Sequence, residues 1–201
     1  MDENSISYTP PAIEIMGATV QAHLGYSLQA SDSGASDGNQ ATYSATWGKG
    51  QEAGITVSYE GLKVGVYGTE RENTTPNAAT GQQITDEFNG VWYATYTMGP
   101  VSIGYSESYM DGGVTQALSA ETVNTAKAER TAGGIFTGEQ MSIAFNVNDN
   151  LSISWSDMSA TYDPQNHSTA GVDEVGVDEE HTSLQLAYSM GSMSIKAYTT
   201  E

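Results

Sequence analysis

Apolar and polar residues alternate along several stretches of the chain, most clearly at residues 141–156 (MSIAFNVNDNLSISWS). Every second residue from Met141 to Val147 is apolar, and the residues between them are small or polar. Asn and Asp follow at residues 148–150, and the alternation then resumes as far as Ser156. Successive side chains of a strand point to opposite faces, so this pattern predicts a β-hairpin with one apolar face and one polar face.

Three further stretches repeat this unit, with short turns at residues 60–61, 99–100 and 191–192. Long polar connections separate the hairpins, at residues 72–87, 111–133 and 163–181. The pattern predicts about ten antiparallel strands, with tight turns at one end and long loops at the other. Residues 118–130 are rich in Ala, Glu and Lys and predict a short helix inside one loop. Gly48, Lys49 and Gly50 either interrupt one long strand or separate two strands, and the pattern leaves both open.

Strand length separates the possible architectures. A tilted strand needs about 9 to 11 residues to cross a bilayer, and the alternating runs are about that long. Strands of soluble sandwiches are shorter, about 5 to 6 residues, and are joined by turns at both ends. The pattern therefore favours an all-β, antiparallel transmembrane β-barrel, with residues 1–201 forming a single segment of it.

Composition excludes several functional classes. The chain has 201 residues, with 25 acidic residues against 6 basic ones, for a formal charge of −19. Binding of nucleic acid through a basic patch is not expected. There is no Cys, which removes disulfides, thiolate metal sites and cysteine nucleophiles. No apolar run is long enough for a membrane helix, and no signal peptide is visible, so a signal was removed or the chain is an internal fragment.

The phrases SLQLAYSMGSMSIKAYTTE, VWYATYTMGPVSIGYSES and QMSIAFNVNDNLSISWSD resemble the hairpins of Gram-negative outer-membrane porins, particularly those of alphaproteobacterial and marine type. The resemblance implies a barrel in the outer membrane, usually a homotrimer, through which small hydrophilic solutes and ions diffuse passively. Porins have about 16 strands or more, against about ten expected here. Their chains also usually end on a strand with a terminal aromatic residue, whereas this one ends in Thr-Thr-Glu. The chain therefore resembles part of a porin.

In this interpretation the polar face lines the channel and the apolar face contacts lipid. The residues predicted to line the pore are Gln21, His23, Lys63, Gly65, Tyr67, Arg71, Ser102, Gly104, Ser142, Asn146, Ser152, Ser154, Gln185 and Lys196. The residues predicted to form an acidic loop are Asp173, Glu174, Asp178, Glu179 and Glu180.

The acidic loops predict a preference for cations at the channel mouth, opposed by the basic side chains of the polar face. Oxygen ligands in the acidic loop would suit a weak Ca²⁺ site, but the loop lacks the spacing of an EF-hand. We otherwise expect no metal and no cofactor. No catalytic motif occurs in the sequence, so we expect no enzymatic activity.

The competing hypothesis is a soluble or surface-anchored β-sandwich, such as an adhesin or a structural protein. Its apolar stripes would meet in a core between two sheets, and its acidic loops would be recognition surfaces. The two hypotheses differ in what the apolar face contacts, which is lipid in one case and a second sheet in the other.

Overall fold

The described residues of the computed structural model are 5–28, 47–73, 85–113, 134–163, 176–191 and 193–201. They form eleven β-strands and contain no helix. The strands are Ser5–Tyr8 (β1), Ile13–Ile15 (β2), Ala18–Ser27 (β3), Trp47–Tyr59 (β4), Leu62–Asn73 (β5), Glu87–Met98 (β6), Val101–Asp111 (β7), Ile135–Asn148 (β8), Leu151–Asp163 (β9), Val177–Met190 (β10) and Met193–Thr200 (β11).

All eleven strands belong to one antiparallel sheet in which neighbours in sequence are neighbours in space. The order is β1-β3-β4-β5-β6-β7-β8-β9-β10-β11, and β2 also pairs with β3. β1 and β2 lie against the same side of β3, at Leu24–Ser27 and Ala18–Val20 respectively, so together they are one interrupted edge strand. Pro10 and Pro11 lie in the interruption, where their missing N–H groups prevent continuous pairing.

The predicted two-ended arrangement is confirmed among the described strands. Two-residue turns follow β4, β6, β8 and β10, and the strand ends that border the long connections all lie at the opposite end of the sheet. A further tight turn, not predicted from the sequence, joins β2 to β3 through Met16 and Gly17, whose φ angles are 51° and 86°. The φ angles of Glu60 and Gly61 are similar, 43° and 86°. Positive φ angles at both central residues are typical of a type I′ turn, the mirror image of type I, whose twist matches that of the two strands of a hairpin.

Two register shifts bend individual strands. β4 runs through Gly48–Gly50, with a shift between Trp47 and Gly50, whereas residues 41–46 of the two alternatives lie outside the described residues. A second shift lies between Asn146 and Asn148 on β8. Asn148 Oδ1 then accepts hydrogen bonds from the backbone N–H groups of Asn150 and Leu151, at 2.9 and 3.0 Å, and fixes the turn.

The fold class predicted from sequence is confirmed as an all-β antiparallel sheet. Closure into a barrel is not seen, because the order of the described strands starts at β1 and ends at β11 without a pairing between them. The predicted helix at residues 118–130 lies outside the described residues, as do Asp173 and Glu174 of the predicted acidic loop.

The described part of the chain contains no helix long and apolar enough to cross a membrane.

The open edges lead to a first prediction about the isolated chain. The outer sides of β1–β2 and of β11 carry backbone groups that no other described strand pairs with, and an unbroken edge such as β11 recruits other chains. We expect the refolded protein to associate edge to edge in detergent, as measured by light scattering coupled to size-exclusion chromatography. A monodisperse monomer with a closed barrel would contradict this prediction.

Candidate functional site

The register divides the sheet into an apolar face and a polar face that are continuous from strand to strand. Ile143 pairs with Ile103 on one side and with Trp155 on the other, and Trp155 pairs with Leu184. The alternation predicts that the apolar residues share one face, and this is confirmed for Val64, Val66, Ile103, Tyr105, Ile143, Phe145, Ile153, Leu186 and Ile195.

The apolar face is the more exposed of the two. Val66 is 51% exposed, whereas its neighbour Gly65 is buried and Thr56, across the strand pair, is only 7% exposed. Each described strand contacts only its neighbours in the sheet, so no second layer among the described residues buries the polar side. Gly65 and Thr56 are covered by tyrosine rings of the same face, but the short polar side chains of β7–β9 are also half-buried without a covering layer, which indicates that the sheet curves towards them. The polar face is therefore concave and the apolar face convex.

The apolar residues form a band that crosses the sheet diagonally. One row of paired residues starts apolar at β3 and becomes polar at β9, in the order Val20, Val57, Val64, Ala94, Tyr105, Met141, Asp157, Thr182. A row nearer the short turns is apolar from β6 to β11, in the order Met98, Val101, Phe145, Ile153, Leu186, Ala197. The band thus moves by about one residue per strand, and with strand rises and spacings of about 3.3 and 4.8 Å this corresponds to strands tilted by roughly 35°.

All the residues predicted to line the pore lie on the concave face. Rows of paired residues connect them, such as Lys63 with Thr95, Gly104 and Ser142, and Ser102 with Ala144, Ser154 and Gln185. The structure therefore brings these residues to one surface, and their role in lining a channel stays a prediction.

The β3–β6 part of the concave face carries hydrogen-bonded pairs of ionisable side chains. His23 Nε2 lies 2.6 Å from Glu52 Oε1, and His23 Nδ1 lies 3.0 Å from the Thr9 hydroxyl. Gln21 Nε2 donates to the carbonyl oxygen of Pro10, which ties the interruption of the edge strand to this face. His23 is thus held in a hydrogen-bonded network on the polar face.

A second such pair lies nearer the long connections. Arg71 Nη2 donates to Glu87 Oε2 at 2.5 Å, and Asn89 Nδ2 donates to the other oxygen of Glu87 at 3.1 Å. Both residues of the ion pair are partly buried. Arg71 is therefore largely neutralised by its neighbour, while Lys63 and Lys196 form no ion pair with a described carboxylate.

The β7–β9 part of the same face is uncharged and carries mainly small side chains. Its side chains in the middle of the strands are mostly Ser, Gly and Ala, with Ser106, Ser156 and Gln140 beside the predicted serines. On the concave face, β3–β6 therefore carry charged and aromatic side chains, and β7–β9 carry small side chains rich in hydroxyl groups.

The predicted acidic loop is corrected by the structure. Asp178, Glu179 and Glu180 lie in strand β10, not in a loop. Because side chains alternate along a strand, Asp178 and Glu180 lie on the convex face and Glu179 on the concave face. These three carboxylates cannot converge on one Ca²⁺ ion, and no group of three or more metal-ligating side chains is found among the described residues.

The sequence pattern missed a set of carboxylates on the convex face, between the apolar band and the long connections. They are Glu70, Glu107, Asp111, Glu139, Asp157, Asp163, Asp178 and Glu180. Glu107 faces Glu139 directly, an unfavourable pairing of like charges, and it accepts hydrogen bonds from Tyr105 Oη at 2.7 Å and Trp92 Nε1 at 3.0 Å. Extending the alternation beyond the apolar runs would have placed these acids on the convex face.

Searches with protein-family models and against curated proteins found no match to this chain.

Proposed function

We propose that this sheet is part of the wall of a water-filled porin channel in the outer membrane of a Gram-negative bacterium. Small hydrophilic solutes and ions would pass through it by passive diffusion, without a catalytic step. The observation that supports this proposal most is the inside-out distribution of residues, with most of the exposed large apolar side chains on the convex face and half-buried short polar side chains on the concave face of β7–β9.

The apolar face is too large for contact with water. Soluble monomers rarely expose a continuous apolar patch of more than about 300 to 600 Å². Here large apolar residues are exposed on every strand from β1 to β11. A lipid environment removes the free-energy cost of exposing these apolar side chains to water, because hydrocarbon solvates this face while water solvates the concave one.

The diagonal course of the apolar band gives independent support. A slab of hydrocarbon has constant height, so tilted strands must show an apolar band that shifts along the register from strand to strand. The shift of about one residue per strand implies a tilt near the 35 to 45° of membrane barrels. A band fixed to one register row would instead suit untilted strands.

The backbone edges of β1–β2 and β11 must find hydrogen-bond partners before the sheet can remain in hydrocarbon. Within the proposal, further strands, in this chain or another, close the wall. The closed barrel then assembles as a homotrimer, as the resemblance to porins implies.

Planar bilayer recordings test the channel directly. Protein refolded with its partner strands, or purified from the host outer membrane, should give stepwise conductance in KCl, and should run in SDS as a β-rich oligomer that heating dissociates. Heat-denatured protein is the control. A protein that stays monodisperse in buffer and gives no conductance would contradict the channel and support the adhesin hypothesis.

Reversal potentials under a KCl gradient test the proposed preference for cations. The two neighbouring acids on β10 offer a matched pair, because Glu179 lies on the concave face and Asp178 on the convex face, where its carboxylate accepts from the Thr161 hydroxyl at 2.8 Å. We expect Glu179→Gln to reduce the cation preference and Asp178→Asn to leave it nearly unchanged. Equal effects of the two substitutions, or a chloride preference in the unmodified channel, would contradict this mechanism.

A further inference from the structure

Two tyrosine rings of the concave face lie flat on the sheet. The ring of Tyr67 covers the position that a Cβ atom of Gly54 would occupy, and the ring of Tyr93 covers the same position at Gly65. Only glycine allows this arrangement, because any larger side chain would displace the ring. Each ring therefore has one side against the backbone and the other towards the concave space.

The two rings form a continuous platform. Their planes are parallel to within 7° and their centroids are 6.5 Å apart, so they lie side by side. The hydroxyl of Tyr67 is 2.7 Å from the hydroxyl of Thr56, which fixes one end of the platform. Both tyrosines are only partly exposed, as expected when one side of each ring is covered.

A cation lies over the second ring. Lys63 Nζ is 5.9 Å from the centroid of the Tyr93 ring, above the side that faces away from Gly65 and within the range of a cation–π contact. Unlike Arg71, which pairs with Glu87, Lys63 forms no ion pair with a described carboxylate. Its charge is therefore available to an anionic group beside the platform.

We propose that Lys63, Tyr93 and Tyr67 bind an aromatic carboxylate. A planar ring stacks on the open side of Tyr67, or on that of Tyr93 once the flexible Lys63 side chain has moved to the ring edge, and its carboxylate pairs with the Lys63 ammonium. An organic cation would be repelled by Lys63, and a neutral ring would leave that charge unpaired. The inference rests on the proposed channel in one respect: the concave face must be open to aqueous solutes.

Benzoate is the probe for this site, with two compounds as references. Acetate has the charge without the ring, and benzamide has the ring without the charge. We expect the ring protons of benzoate to shift upfield in NMR spectra on binding to the refolded protein, because they lie over tyrosine rings. We also expect benzoate to bind more tightly than either reference compound. Equal binding of benzoate and acetate, or the absence of an upfield shift, would overturn the proposal.

Substitutions in the protein separate the contribution of the Tyr93 ring to binding from that of the Lys63 charge. Lys63→Gln should weaken benzoate binding by about fivefold, the value of a moderately exposed charge pair, and leave benzamide unaffected. Tyr93→Leu should weaken both by about fivefold or more, since stacking on an aromatic ring is lost. Tyr93→Phe keeps the ring over Gly65 and should bind like the unmodified protein, so it gives a result even if Tyr93→Leu does not fold. Loss of binding in Tyr93→Phe would overturn the stacking arrangement.

Tyr188→Leu is the matched control, because Tyr188 pairs with Leu151 and Ile195 on the convex face. It should leave benzoate binding unchanged, and weakening equal to that of Tyr93→Leu would overturn the site. The binding measurement does not depend on conductance. Protein that conducts ions but does not bind benzoate would refute the platform alone, and protein that binds benzoate but gives no conductance would refute the channel alone.

Discussion

Arginine at Ile143 is expected to destabilise the protein in lipid by about 2 to 4 kcal/mol, whereas arginine at the adjacent Ala144 should have a much smaller effect. Ile143 lies near the middle of the apolar band, is 43% exposed on the convex face and pairs with Ile103 and Trp155. A charge at this position would be placed in hydrocarbon. Ala144 points to the concave face, between Ser102 and Ser154, where water would solvate the guanidinium.

Denaturant unfolding of the two variants in phospholipid vesicles measures the difference. The pair is well matched, because the residues are adjacent on one strand and receive the same side chain. Similar free energies of unfolding for the two variants would show that both faces are packed against protein, as in a sandwich.

Alanine at Gly61 is expected to lower the free energy of unfolding by about 3 kcal/mol, against about 1 kcal/mol for alanine at Gly99. Both glycines have positive φ angles, 86° and 57°, in turns at the same end of the sheet. A Cβ atom at Gly61 would collide with the carbonyl oxygen of Thr97 on the adjacent hairpin, while a Cβ atom at Gly99 would meet nothing within 4 Å. Thr97 cannot easily retreat, since its N–H donates to the carbonyl oxygen of Gly61 at 2.9 Å.

The difference between the two alanine variants isolates the collision from the backbone strain. Gly99→Asn extends the test, because Asn tolerates the left-handed conformation and should be nearly neutral at this open position. Unfolding in urea gives all three values. If Gly61→Ala and Gly99→Ala were equally stable, the contact between the two hairpins would not form as described.

The strands and their faces could be predicted from the sequence because alternation is a local property. Met141 and Ile143 alternate with Ser142 and Ala144, and a chain with that pattern has one way to separate its apolar side chains from its polar ones. The turn at Glu60 and Gly61 was visible for the same reason, since the residues that permit positive φ angles are few.

Features that depend on neighbouring strands could not be predicted in this way. Tyr67 covers Gly54, and the two residues come together only because β4 and β5 pair in one particular register. The acidic residues near Glu179 were assigned to a loop because their charge suggests solvent, but pairing with β9 extends β10 to Val177. The return of the chain through Met16, which places β2 beside β3, was likewise not predicted.

The two edges of the sheet are unequal, and this has a consequence for how copies of the chain can assemble. The β1–β2 edge is short, broken and occupied by prolines that cannot donate to a new strand, whereas β11 is an unbroken strand of eight residues. Growth of a filament needs two receptive edges on every copy, one to join the preceding molecule and one to accept the next. A sheet with a single receptive edge stops after one pairing, so association through β11 yields a self-limiting pair of molecules and not an indefinitely extended fibre.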